Sequence, residues 1–259
     1  MDPEKTAPRV LYFESLDSTN EEALRQLGRG SEGPLWIIAG EQSQGRGRGG
    51  RRWHSPKGNL YASLLLRLNV SAAVATELSF VAALAAYDAI ASQLPSEQLG
   101  ALRLKWPNDV MLAGVKIAGI LIESLADPKG DGLAAIIGIG INVSSAPQDT
   151  GRPATALGAA PADCSRVLGA LAAAFEIWRG RWNEGKGFAS VREAWLARAH
   201  VPGEPVSVNL YGSSIRGTFR GIDERGALQL ETSAGVVITL SAGDIIPAAE
   251  ADRDAGPTI

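Results

Sequence analysis

Lys116-Ile117-Ala118-Gly119-Ile120-Leu121-Ile122-Glu123 and Leu133-Ala134-Ala135-Ile136-Ile137-Gly138-Ile139-Gly140-Ile141-Asn142-Val143 decide the fold class. Each is an isoleucine-rich apolar run of strand length. Between them, Asp127 to Gly132 is made of turn formers, Asp-Pro-Lys-Gly-Asp-Gly. The pair reads as a meander. Moving outward, Leu102 to Lys105 and Asp109 to Leu112 read as short strands, and Leu60 to Leu68 alternates with a period of two. Trp36 to Ala39 and Val10 to Phe13 complete the strand set. Ser18-Thr19-Asn20-Glu21 has the form of a capping box, opening a helix that stops at Gly28. Helical spacing predicts one long core helix over Ser71 to Leu94, a second from Asp163 to Trp182, and a shorter one from Phe188 to Ala199. Strands that mostly neighbour one another, with helices set apart, give an α+β fold with a sheet packed against helices.

The pattern changes at Val201-Pro202-Gly203. From Pro205 to Ile246 short strands alternate with glycines, the signature of a small barrel. The expected organisation is a main domain over residues 1–200, a barrel over 201–248 and a flexible tail over 249–259. The short linker predicts that the barrel lies against the main domain. Truncation after Ala199 is then expected to weaken handling of a protein partner more than binding of a small ligand.

Composition narrows the function. A single cysteine precludes an intramolecular disulfide and fits a cytoplasmic setting, and two histidines leave no zinc constellation. The start of the chain lacks the features of a signal peptide, and no charge-free apolar run reaches membrane-spanning length. A net charge of −3 disfavours a general nucleic-acid binder. Against that acidic background, Gly45-Arg46-Gly47-Arg48-Gly49-Gly50-Arg51-Arg52 concentrates four arginines and four glycines. Forked donors on a backbone without Cβ atoms suit a phosphate or carboxylate. The run contains G-x-G-x-x-G, but Trp53-His54-Ser55-Pro56 follows instead of a helix, so a dinucleotide fold is disfavoured. An RGG-type RNA-binding tail is disfavoured by the apolar strands on both sides.

The motifs in order are Gln42-x-x-Gly45-Arg46-Gly47-Arg48, Gly50-Arg51-x-Trp53, Gly58-Asn59-Leu60-Tyr61, Lys105-Trp106-Pro107-Asn108-Asp109, Lys116 to Glu123, and Gly138 to Val143. This ordered set resembles the biotin protein ligases, over residues 10 to 246. The resemblance implies a class II synthetase-like catalytic domain with a mixed sheet, followed by an SH3-like barrel. It also implies a two-step reaction: biotin and Mg·ATP give biotinyl-5′-AMP, and a lysine of a biotin carboxyl carrier protein then takes the biotin. No nucleic acid or membrane partner is expected, and monomer and homodimer both stay open. Some members carry an N-terminal DNA-binding module; fewer than ten residues precede the first strand, so none is expected. The family's loop usually has another basic residue where Gly49 stands. The related lipoate ligases carry an Arg-Arg-x-x-Gly-Gly-Gly motif that is missing here, which makes lipoate the alternative substrate and biotin the preferred one.

By that resemblance, Ser18, Thr19, Asn20 and Gln42 contact the biotin head group. Gly45, Arg46, Gly47 and Arg48 close over it, and Lys116 and Gly119 complete the biotin set. Arg48, Arg51, Trp53, Lys105, Asn108, Lys116 and Asn142 serve ATP, with Trp53 as an adenine plate. Lys116, Arg48 and Asp109 are the catalytic set. Asp109 either orients Lys116 or accepts a proton from the incoming amine. Magnesium arrives with the ATP phosphates, and no protein metal site is expected. Leu64, Ile120 and Ile139 are candidates for an apolar floor. His54, His200 and Cys164 receive no role, and Trp36, Trp178, Trp182 and Trp195 are read as packing.

Overall fold

A computed structural model describes residues 8–147, 153–158, 164–210 and 213–247. In chain order the elements are β1 (Arg9–Leu16), α1 (Thr19–Gly28), β2 (Leu35–Gln42), β3 (Leu60–Leu68), α2 (Ala72–Ala75), α3 (Leu78–Ala91), β4 (Leu102–Lys105), β5 (Asp109–Leu112), β6 (Val115–Ala126), β7 (Leu133–Ile141), α4 (Cys164–Trp182) and α5 (Phe188–Leu196). Strands β8 (Pro205–Leu210), β9 (Ser213–Ile222), β10 (Leu228–Glu231), β11 (Val237–Leu240) and β12 (Asp244–Pro247) follow. The first seven strands form one sheet in the order β1-β2-β3-β7-β6-β5-β4, mixed because β1 and β2 run parallel while the other pairs are antiparallel. The last five form a second, antiparallel sheet in the order β11-β10-β9-β8-β12. The predicted tail and the Asp163 helix start lie outside the described residues.

The two faces of the large sheet differ, and that difference makes the site. Helices α3 and α4 cover one face, where Leu60, Ala62, Leu64, Leu66, Ile137, Ile139 and Ile141 join the main core. On the other face, α1 covers only part: Ala23 and Leu27 pack on Leu35, Ile37, Leu65, Ala134 and Ile136. The strand alternation that buries Ile137 and Ile139 on one side puts Gly138 and Gly140 on the other. That leaves a floor of backbone beyond the reach of α1. Of the apolar candidates, Leu64 belongs to the helix-covered face and does not line the cleft there, whereas Ile120 and Ile139 reach its wall.

Two local expectations are corrected. Ser18 stands at the N-cap with extended backbone but makes no side-chain cap bond. Glu21 instead pairs with Arg46 (2.7 Å), so the capping box is not closed, while α1 ends at Gly28 as expected. The single helix expected over Ser71 to Leu94 is two helices, because Ser79 N–H bonds Thr76 O and Phe80 N–H bonds Glu77 O in tighter i to i+3 steps. Glu77 at this break accepts Trp182 Nε1–H (2.6 Å), and its burial raises its pKa. The stretch Ala72–Ala91 is apolar and long enough to cross a membrane by composition, yet most of it is buried inside the protein.

The C-terminal sheet is fused to the main core. Val206, Val208, Phe219, Ile222, Leu228, Leu230 and Ile245 belong to the same buried cluster as Phe80, Trp106, Phe188 and Trp195. Trp106 Nε1–H donates to Gly226 O (3.0 Å), and the Arg192 guanidinium donates to Ile222 O and Asp223 O. Removing the chain after Ala199 would therefore uncover aromatic core. Trp36, Trp178, Trp182 and Trp195 are buried, as their spacing suggests.

Candidate active site

A cleft of about 800 Å³ opens on the uncovered part of the sheet. One end is a chain of buried polar groups. Thr19 N–H donates to Gln42 Oε1 (2.8 Å), and Gln42 Nε2 donates to Ser55 Oγ (2.9 Å). Ser63 Oγ, fully buried on β3, lies 2.7 Å from Thr19 Oγ1 and 2.6 Å from Asn20 Oδ1. Asn20 Nδ2 donates to Glu123 Oε2 (2.7 Å). Ser18, Thr19, Asn20 and Gln42 therefore converge as expected, and all four line the cleft. The sequence reading missed Ser63, Glu123, Gly138 and Gly140. For the glycines a signal was present: glycine at alternate positions in a strand marks a close approach by another group. A Cβ on Gly138 would collide with Asn20 Oδ1, and one on Gly140 would lie 2.6 Å from Trp53 Nε1.

The other end is cationic. Lys116 Nζ lies 2.5 Å from Asp109 Oδ1, and Lys105 Nζ lies 3.4 Å from Asp109 Oδ2. A register shift puts Lys116 here. Val110 pairs with Ala118 but Met111 pairs with Lys116, so β6 holds one extra residue, Ile117, opposite β5. In an unbroken strand Lys116 would share the face of Ala118 and Ile120, which is the core. The bulge sends Ile117 into the core and moves Lys116 to the side of Gly119. Burial of the ammonium lowers the Lys116 pKa from its ordinary value of 10.5, and Asp109 opposes that shift. The folded chain therefore sheds this proton at lower pH than the unfolded chain does. The burial penalty on the charge is felt below that window and relieved as pH rises through it. For function the expected consequence is an alkaline fall in kcat/KM for ATP centred below 10.5, measured as a pH profile of adenylate formation. A profile flat up to 10.5 would contradict it.

The arginine loop lies over the cleft as a bridged hairpin. Gln42 pairs with Ser55 and Arg46 with Arg52, and Gly47 N–H donates to Arg51 O (2.7 Å). At the tip Gly49 has φ +63° with open space around it, a conformation that costs an L side chain about 1–2 kcal/mol. Gly45 is buried beneath Trp53 O and Ser55 Oγ, where a Cβ has no room; it shapes the loop and does not line the cleft. Arg46 bonds Glu21 and Glu123. Arg48 Nη1 lies 3.2 Å from Asn108 Oδ1 and 3.4 Å from Asp244 Oδ1, and Arg51 Nη1 lies 2.7 Å from Asp244 Oδ2. The C-terminal sheet thus anchors the loop tip. Asn108 also donates to Ile120 O, which ties the same arginine to β6.

Trp53 lies on the glycine floor, close to Gly119 and Gly140, with Lys116 Nζ 5.1 Å from its ring centroid. Its Nε1 is buried without a partner. Asn142 is buried too; its Nδ2 donates to Thr155 O while its Oδ1 has no partner. Both residues line the same cleft.

The model of the biotin/lipoate A/B protein ligase family matches residues 12–142, and that of the biotin protein ligase C-terminal domain matches residues 202–246. The biotin–[acetyl-CoA-carboxylase] ligase of Paracoccus denitrificans is 44% identical over 246 residues, covering 90% of this chain and 96% of that one. The chain belongs to the biotin protein ligase family. The bifunctional ligase/repressor BirA of Escherichia coli K12 is 34% identical to this ligase, over 91% of this chain and 73% of its own length. The biotin protein ligase of Aquifex aeolicus, solved in complex with biotin and ATP, superposes with a TM-score of 0.73 at 27% identity, covering 92% of this ligase and 97% of that chain. The mixed sheet with its helices and the C-terminal antiparallel sheet are those of the biotin protein ligases.

Proposed function

We propose that this ligase forms biotinyl-5′-AMP from biotin and ATP and passes biotin to a lysine of a biotin carboxyl carrier protein in the cytosol. The observation that carries the reading is the polarity of one cleft. Small amide and hydroxyl groups gather at the Thr19–Asn20–Gln42 end, backed by the paired Glu123 and Arg46, and cations gather at the Lys116–Arg48–Arg51 end. A ureido ring fits the first and a carboxylate beside a triphosphate fits the second. The first step joins two anions, so it needs charge neutralisation and in-line placement.

In this reading Lys116 spans the biotin carboxylate and the α-phosphate, and Asp109 holds its ammonium in place. The 2.5 Å contact supports Asp109 as an orienter of Lys116 over a base for the incoming amine. Arg48 and Arg51 turn from Asp244 to the phosphates, with magnesium entering on the nucleotide. Among the described residues no acidic, histidine or cysteine cluster is arranged to hold a metal. Trp53 and Asn142 line the cleft beside Lys116, where an indole face and an amide suit adenine. With the loop over the cleft, water is kept from the mixed anhydride. Calorimetry with biotin, then lipoate, with and without Mg·ATP, tests the assignment. Biotin is expected to bind and lipoate not; tighter binding of lipoate would transfer the reading to the lipoate ligases.

A further inference from the structure

Glu123 sits at the far end of β6 from the bulge, on the cleft side, opposite Ile136 of β7. One carboxylate there joins two parts that are distant in sequence. Its Oε2 accepts Asn20 Nδ2–H (2.7 Å) from the start of α1 and lies 3.0 Å from Arg46 Nη2 of the loop; Oε1 lies 3.1 Å from the same nitrogen. An ionised carboxylate only accepts, so Asn20 must turn its amino group toward Glu123 and its carbonyl toward the Ser63 hydroxyl. That leaves one Asn20 N–H for a ligand. Arg46 is meanwhile held between Glu123 and Glu21, whose two carboxylates more than offset its single positive charge. It is therefore tied to the polar end of the cleft, whereas Arg48 and Arg51 are tied to the barrel.

We propose that Glu123 is a positioning residue that couples closure of the arginine loop to occupation of the polar end of the cleft, acting through Asn20 and Arg46. The inference rests on the biotin assignment above. Biotin that fixes the Asn20 amide fixes Glu123 and, through it, Arg46. By reciprocity a closed loop then raises the affinity for biotin.

The test uses the full chain with Glu123→Ala, Glu123→Gln and Glu21→Gln. Biotin affinity is measured by calorimetry, and loop closure by the rate of tryptic cleavage at Arg46 to Arg52 with and without biotin. Glu123→Ala is expected to weaken biotin binding about tenfold, the scale of one charge-assisted hydrogen bond. It should also abolish the protection of the loop by biotin. Glu123→Gln keeps an acceptor for Asn20 and should recover most of the affinity while protection stays reduced. Glu21→Gln touches Arg46 alone and should lower protection without changing the contact at Asn20. Should the alanine variant fail to fold, the glutamine variant alone decides through the protection assay. Glu123 variants that bind biotin within twofold of wild type and show full protection overturn this inference alone. A wild-type chain that does not bind biotin overturns the reading of the cleft and this inference with it.

Discussion

Lys116→Ala is expected to slow formation of the acyl-adenylate at least ~10²-fold, the usual scale for removing a group aimed at developing charge, with the fold intact. Lys116 is the one ammonium that the β6 bulge delivers to Asp109 at 2.5 Å; Lys105 stays at 3.4 Å from the other carboxylate oxygen. Alanine leaves that second ion pair in place, so Asp109 is not stranded as an unpaired buried charge. The Lys116 side chain lines the cleft and is no part of the apolar core, so its loss opens no core cavity. Single-turnover adenylation with circular dichroism on the same sample separates the two effects. A folded variant within a few-fold of wild type would make Lys116 an ordinary hairpin cation.

The second large effect comes from the floor. Gly138→Ala puts a methyl group into the space of Asn20 Oδ1, nearer than real Cβ contacts allow. The neighbour is not a free side-chain end: Asn20 is held by Ser63 on one side and Glu123 on the other. Overpacking of this kind costs about 1–3 kcal/mol, and the displacement of Asn20 that relieves it is expected to lower biotin affinity by up to roughly 150-fold. Isothermal titration of the variant with biotin measures it, alongside its thermal unfolding midpoint. Unchanged biotin affinity in a folded variant would show that Asn20 can move without consequence, against its place in the polar chain.

Much of this was legible in the sequence. Isoleucine runs bounded by turn formers located β6 and β7, and the resemblance to the biotin protein ligases brought Ser18, Thr19, Asn20 and Gln42 together. What was not legible depends on long-range geometry. The bulge at Ile117 leaves no mark in the residue pattern, since Lys116 looks like the first residue of a regular strand. Glu21 has the position of a capping-box residue, but Arg46 claims it once the loop has folded over α1. The anchor of Arg48 and Arg51 on Asp244 joins positions nearly two hundred residues apart. The barrel reads as a separable unit because its strands are short and glycine-punctuated. Its inner residues nonetheless complete a core begun by Phe80 and Trp106, so the proposed truncation would disturb far more than the partner surface. Gly138 and Gly140 were readable as close-approach positions, and only the identity of what approaches them needed the structure.

Activation of biotin as an adenylate in this cleft has a direct test. Mixing the full chain with biotin, magnesium and α-labelled ATP should release pyrophosphate only when biotin is present and leave labelled biotinyl-5′-AMP on the protein. Adding a biotin carboxyl carrier domain should then discharge the label as AMP and biotinylate one lysine. Pyrophosphate release that is equally fast without biotin would contradict this activation.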